Sequence, residues 1–227
     1  MNAREIIDRI VRMSEDSTVL WYYHYGMKRV NEDNDHGGSN PGIMIAFRIS
    51  AGVAAQLPID HPNAEPTENM HITLAYLGRL DNVGENAVSR AIQACSEVAA
   101  VTPEMSGRLN GVGRFMASKT SDGKDVIYTS VDVPGLAEFR TDLVRALEQN
   151  HVDVKSDHGY VPHITLAYID TQDVPHVARM GQELKLDTLE VIIGDETRAS
   201  FQLRGAPVNP YDQSSEAGAS EWNRLRV

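Results

Sequence analysis

The sequence predicts an α+β protein made of two related lobes, each an antiparallel sheet with helices on its outer side, the two sheets lining a central cleft. Three observations carry that prediction. The hexapeptide His-Ile-Thr-Leu-Ala-Tyr occurs twice, at 71–76 and 163–168. A chance match of this kind is on the order of one in a thousand, and a period this long is not a solenoid unit, so the pair reads as a duplication. Both copies alternate with the period of a strand, which puts Ile, Leu and Tyr on one face and His, Thr and Ala on the other. Helical and strand-like runs flank both copies, so each lobe mixes the two element types.

The elements follow in order. An opening helix is expected on Ile6, Ile7, Ile10 and Val11, followed by the aromatic run Trp21 to Tyr25 and a Gly- and Asn-rich loop from Asp33 to Gly42. Ile43 to Ile49 is a compact apolar strand, and a second loop covers His61 to Asn69 ahead of the first hexapeptide. Glu85 to Ala99 carries apolar residues at helical spacing through Val88, Ile92, Cys95 and Val98. Met105 to Ala117 and Asp125 to Val133 read as strands of a hairpin turning at Ser121-Asp122-Gly123. Pro134 opens a helix through Leu136, Phe139, Leu143 and Leu147. Beyond the second hexapeptide, Asp173 to Leu184 is expected as a helix, and Leu189 to Ile193 with Ala199 to Leu203 as closing strands around Gly194-Asp195. The expected division is an N-terminal extension over 1–42, a bilobal domain over 43–205 and a polar tail over 206–227 with Trp222 as an anchor.

Composition removes several function classes. With 41% hydrophobic and 23% charged residues there is no run of about 18 apolar residues to span a bilayer, and the N-terminus lacks a secretory h-region. A cytoplasmic protein without a membrane partner is expected. Twenty-one basic against 32 acidic residues give a net charge of -11, which opposes binding to duplex DNA and favours a small nucleotide or an RNA end as the substrate. The single cysteine, Cys95, has no partner for an internal disulfide and reads as a small buried apolar group. Nothing in the sequence fixes the oligomeric state.

A lone strand histidine usually pairs with backbone groups, but a repeated His-x-Thr on one strand face points to chemistry. Two histidines flanking one phosphate divide base and acid duties near neutral pH, and a threonine hydroxyl two residues on is placed to hold phosphate oxygens. The candidate catalytic residues are therefore His71, Thr73, His163 and Thr165; which histidine is the acid stays open. No cofactor and no metal are expected. Gly111-Val112-Gly113 lacks the third glycine of a dinucleotide fingerprint, and Asp157, His158 and His163 lack metal-ligand spacing.

These segments resemble the paired signatures of the 2H phosphoesterase superfamily, which includes bacterial 2′-5′ RNA ligase-like proteins and cyclic phosphodiesterases. His71-Ile72-Thr73-Leu74-Ala75-Tyr76-Leu77-Gly78 resembles the first motif, Pro162 precedes His163 as in the second, and Gly111-Val112-Gly113-Arg114-Phe115 resembles the stretch between them. The resemblance spans residues 43 to 204. It implies a nucleotide phosphodiester substrate involving a ribose 2′ oxygen: a 2′,3′-cyclic phosphate, a 2′-5′ linked oligonucleotide or a cyclic oligonucleotide signal, the last a target of some phage members of the superfamily. Many relatives close the second motif with arginine where this chain has Tyr168, leaving Arg114, Arg79 or Lys119 as substitutes. The expected substrate contacts are Tyr76, Arg114, Phe115, Tyr160 and Tyr168, with core packing the alternative for the aromatic residues. Two other functions compete: a module that sequesters a nucleotide or RNA end without turnover, and an interaction protein whose N-terminal helix and tail dock a partner.

Overall fold

The computed structural model describes residues 40–57, 59–118, 121–155, 159–173 and 181–205. The expected opening helix, the aromatic run 21–25, Lys119, Asp157, His158 and the polar tail lie outside the described residues. Two four-stranded antiparallel sheets form the frame. In the first the order is β2 (His71–Arg79), β1 (Gly42–Arg48), β7 (Thr188–Ile193), β8 (Glu196–Gln202); in the second it is β5 (His163–Ile169), β4 (Asp125–Asp132), β3 (Met105–Phe115), β6 (Glu183–Leu186). Each hexapeptide thus opens an edge strand, and the two edge strands touch. The closing hairpin β7–β8 crosses back to the first sheet, where Leu189, Val191 and Ile193 pair with Phe47, Ile45 and Ile43.

Side-chain alternation explains the pairing. Ile43, Ile45 and Phe47 of β1 are fully buried, and each contributes about 1.5–3 kcal/mol by leaving water. Helix α1 (Ala51–Ala54) follows β1, and α2 (Leu80–Val83) follows β2. Helix α3 (Glu85–Val101) buries Ala87, Val88, Ala91, Ala94, Cys95 and Ala99, and packs on β7 and β8. Helix α4 (Leu136–Gln149) buries Leu136, Phe139, Leu143 and Leu147, lies against α3, and sets Phe139 5.3 Å from Phe47. One contiguous core takes side chains from both sheets and both long helices.

The helix expected over Asp173 to Leu184 is corrected at its end. Glu183 and Leu184 belong to β6, where exposed Glu183 and Lys185 alternate with buried Leu184 and Leu186, a period of two that β3 completes by pairing. Residues 174–180 lie outside the described set.

The strict alternation expected of the hexapeptides is corrected as well. Thr73 pairs with Ala46 and Ala75 with Ile45, leaving Leu74 as an extra residue; in the second sheet Thr165 pairs with Tyr128 and Ala167 with Ile127, leaving Leu166. A β-bulge therefore sits at the same place in both copies. It sends Ala75 and Ala167 to the core face and turns Tyr76 and Tyr168 to the face of the histidines. Each bulge carbonyl is met by the other lobe: Arg140 Nε of α4 donates to Leu74 O at 2.9 Å, and the backbone N–H of Glu65 donates to Leu166 O at 2.8 Å. The outer edges are covered in the same crossed manner, Lys155 N donating to Tyr76 O and Tyr168 N to Asn63 O.

Candidate active site

Directly paired residues of an antiparallel ladder point to one side, so the registers fix each face. On the first sheet His71, Thr73 and Tyr76 share a side with Arg48, Ala46 and Met44. On the second His163, Thr165 and Tyr168 share a side with Ser130, Tyr128 and Val126, and Gly113 and Phe115 of β3 join them. The opposite faces of both sheets enter the common core, so both His-x-Thr faces look away from it on adjacent strands. A groove of about 780 Å³ elsewhere, lined in part by Arg108, Asp132, Glu183 and Lys185, holds none of these residues.

The two histidines are held by the same bond. His71 Nδ1 lies 2.6 Å from Asn69 O, and His163 Nδ1 lies 2.6 Å from Val161 O. A carbonyl only accepts, so each Nδ1 carries a proton. Their surroundings differ. His71 and Thr73 are half-buried, whereas His163 and Thr165 are each 6% exposed. Phe115 stacks on Tyr128 at 4.1 Å, and the His163 ring stands edge-on to both, at 5.0 and 5.3 Å. The Gly-x-Gly-x-Phe stretch has a physical purpose here: a Cβ on Gly113 would collide with the Tyr128 ring, so only glycine lets that ring lie across β3 to wall the imidazole.

The structure separates two expected contacts from this face. Arg114 pairs with Ile127 and so points to the opposite side of the sheet, where its Nε donates to the buried Asp125 carboxylate at 2.6 Å and its Nη atoms to the carbonyls of Thr171 and Asp173. It ties down the turn after β5, because a fully buried carboxylate needs a cation beside it. Tyr160 packs against the core with the Arg140 guanidinium 4.4 Å from its ring centre, and belongs to the joint between lobes. Tyr76, Phe115 and Tyr168 do lie on the His/Thr face. Arg79 shares that face at the far end of β2, bonded to Asn40 O. Burial pushes the Cys95 thiol up to about 12, which keeps it protonated at neutral pH.

Sequence reasoning missed Arg48. It stands directly opposite His71, and its signal was available: in Ile43 to Ile49 the residues Met44, Ala46 and Arg48 alternate with the core-facing Ile43, Ile45 and Phe47.

Paired His-x-Thr edge strands on two sheets that share one core define the 2H phosphoesterase class. Within it, the profile of the 2′-5′ RNA ligase superfamily matches residues 56–195, and the chain belongs to that family. Solved structures agree on the fold. The Thermus thermophilus protein TT0787 superposes with a TM-score of 0.56 at 18% identity over 72% of this chain and 98% of its own. E. coli LigT with 3′-AMP gives 0.53 at 18% identity, over 73% of this chain and 99% of its own. A protein described as a phosphoesterase gives 0.52 at 18% identity, over 72% and 98%. No curated protein sequence matches the chain. Among the described residues no helix is long and apolar enough to cross a membrane.

Proposed function

We propose that the chain is a metal-independent phosphodiesterase that cleaves a nucleotide phosphodiester involving a ribose 2′ oxygen. The observation that carries this reading is the matched Nδ1–H···O=C bond in both lobes. It leaves two imidazole Nε2 atoms, each beside a threonine hydroxyl on its own strand, on faces turned away from the core. One imidazole enters neutral and takes a proton at Nε2 from the attacking water or hydroxyl. Its partner enters as the imidazolium, protonated on both nitrogens, and gives its Nε2 proton to the departing ribose oxygen. Thr73 and Thr165 donate hydrogen bonds to the non-bridging oxygens, which gather charge as the bond breaks. Two proton-transfer groups complete this cycle without a Lewis acid.

Tyr76, Tyr168 and Phe115 supply aromatic surface on the same faces and are the proposed contacts for a base or ribose. A small nucleotide as ligand is supported by E. coli LigT, a protein of this fold crystallised with 3′-AMP. The net charge of -11 favours a mononucleotide or RNA end over a duplex.

Turnover of 2′,3′-cyclic nucleotides, 2′-5′ oligoadenylates and cyclic di- and trinucleotides by EDTA-treated protein tests the proposal. His71→Ala and His163→Ala are each expected to lower kcat by about a hundredfold to ten-thousandfold, and the double variant by far less than the product. Histidine-independent rates, or tight binding of one of these nucleotides without turnover, would overturn it.

A further inference from the structure

The first lobe contains a polar chain that ends on His71 and that the proposed reaction has not used. Arg48, the last residue of β1, is the direct cross-strand partner of His71. Its guanidinium is tied on three sides: Nε to Glu190 Oε2 at 3.0 Å, Nη2 to Thr197 Oγ1 at 3.3 Å and Nη1 to the carbonyl of Glu68 at 2.7 Å. Thr197 Oγ1 also donates to Glu190 Oε2 at 2.8 Å, so β7 and β8 hold the guanidinium from behind. Glu68 lies in the 3₁₀ turn Thr67–Asn69, and the next carbonyl of that turn, Asn69 O, is the acceptor for His71 Nδ1–H.

We propose that Arg48, braced by Glu190 and Thr197, is a positioning residue for His71. By gripping the Glu68 carbonyl it fixes the turn that presents Asn69 O to Nδ1. The proton is thereby kept on Nδ1, and Nε2 is kept as the nitrogen that exchanges a proton with the ligand. The side chains of Arg48 and Glu190 are 25% and 13% exposed, shielded enough for the pair to keep one geometry. The turn closes on its own backbone through Asn69 N to Pro66 O and Met70 N to Thr67 O, and the ladder bond from Ile49 N holds Met70 O. The Arg48 guanidinium adds a side-chain tie at the exposed Glu68 between them. The second lobe makes the equivalent ladder bond, Val131 N to Pro162 O, but there Pro162 stiffens the approach and Phe115 with Tyr128 clamps the ring. The bonds of the guanidinium run to Glu190, Thr197 and the Glu68 carbonyl, so its grip on His71 runs through the turn.

The inference rests on His71 being an acid–base group, and the test keeps the two apart. Side-chain ¹H–¹⁵N correlation spectra of the full chain report which imidazole nitrogen carries the proton. In the wild type both histidines are expected to carry a proton on Nδ1, and the neutral form of each to be the Nδ1–H tautomer. In Arg48→Met, His71 is expected to move toward a mixture containing the Nε2–H form, while His163 stays unchanged as the internal control for the fold. On the same variant kcat is expected to fall about 10- to 100-fold, the range for a residue that orients a working ligand from behind, with KM little altered. Arg48→Lys restores a donor for Glu68 O without the fork and is expected to recover part of both effects. Should Arg48→Met disturb the His163 signals, Thr197→Val and Glu190→Gln loosen the same guanidinium and are expected to shift His71 in the same direction. Unmoved His71 nitrogens in these folded variants overturn the proposal, as does a loss carried by KM alone, which would make Arg48 a substrate contact. The spectra need no substrate, so displaced His71 signals in a protein without His71-dependent turnover would sink the functional reading and leave the positioning role standing.

Discussion

The two lobes carry the same six residues, the same bulge after the threonine and the same Nδ1–H bond, yet they hold their histidines by different physics. In the first lobe His71 is half-buried at the end of a polar chain running from Glu190 and Thr197 through Arg48. In the second His163 is 6% exposed, walled by Phe115 and Tyr128 over Gly113. Duplication preserved the backbone that aims each imidazole and left the surroundings free to diverge. A polar brace holds by direction and gives way one bond at a time, whereas a packed ring holds by volume and fails together with the core.

That contrast is broken most directly at Tyr128, 3% exposed and stacked on Phe115. Tyr128→Ala removes both the wall of His163 and part of the second sheet's packing. It is expected to cost about 3–5 kcal/mol of stability, the range for emptying a buried aromatic site, read as a lowered urea midpoint. Activity should fall with it, and Tyr128→Phe should keep both. Arg48→Met is its counterpart in the first lobe, where activity should fall far more than stability. Equal stability losses in the two variants would erase the distinction between the lobes.

A smaller effect is expected at Arg140. Its Nε meets the Leu74 carbonyl, while the matching Leu166 carbonyl is met by a backbone N–H that no side-chain change removes. Arg140→Met should therefore loosen one bulge only. The expected loss is about 1–2 kcal/mol for one charged hydrogen bond and its ring contact. Faster amide exchange is expected in peptides covering β2, with those covering β5 unchanged; equal acceleration in both would mean that the lobes are joined as one unit at this point.

Much of this was legible in the sequence, because the repeat is local and a strand's period can be counted. The hexapeptides, the apolar run of β1 and the Leu136–Phe139–Leu143–Leu147 spacing of α4 each announce their own element and buried face. Pairing across long separations was harder to read. Arg114 looked available beside the Gly-x-Gly motif, but its direction depends on register with Ile127, and its partner Asp125 lies across the hairpin. Ala75 and Tyr76 changed faces because a bulge depends on the neighbouring strand and leaves no mark in the hexapeptide itself. The crossing of β7 and β8 to the first sheet, which delivers Glu190 and Thr197 to Arg48, is of the same long-range kind.

The smallest expected effect concerns Tyr160, where the joint between the lobes meets a polar atom it does not satisfy. The phenol oxygen is buried and has no hydrogen-bond partner among the described residues. Burial pushes the phenol above its ordinary range, with Arg140 pulling the other way, so it stays protonated through neutral pH and adds no pH dependence there. Tyr160→Phe keeps the ring beneath the guanidinium and deletes only the unpaired group. Stability should be unchanged or rise by up to about 1 kcal/mol, since removing an unsatisfied buried hydroxyl relieves its desolvation. KM for the nucleotide should not move, because the ring belongs to the core and to Arg140. Calorimetry and kinetics on the one variant decide the matter: a drop in stability would mean that the hydroxyl has a partner, and a raised KM would return Tyr160 to the substrate face and make the second lobe's approach to His163 part of the binding surface.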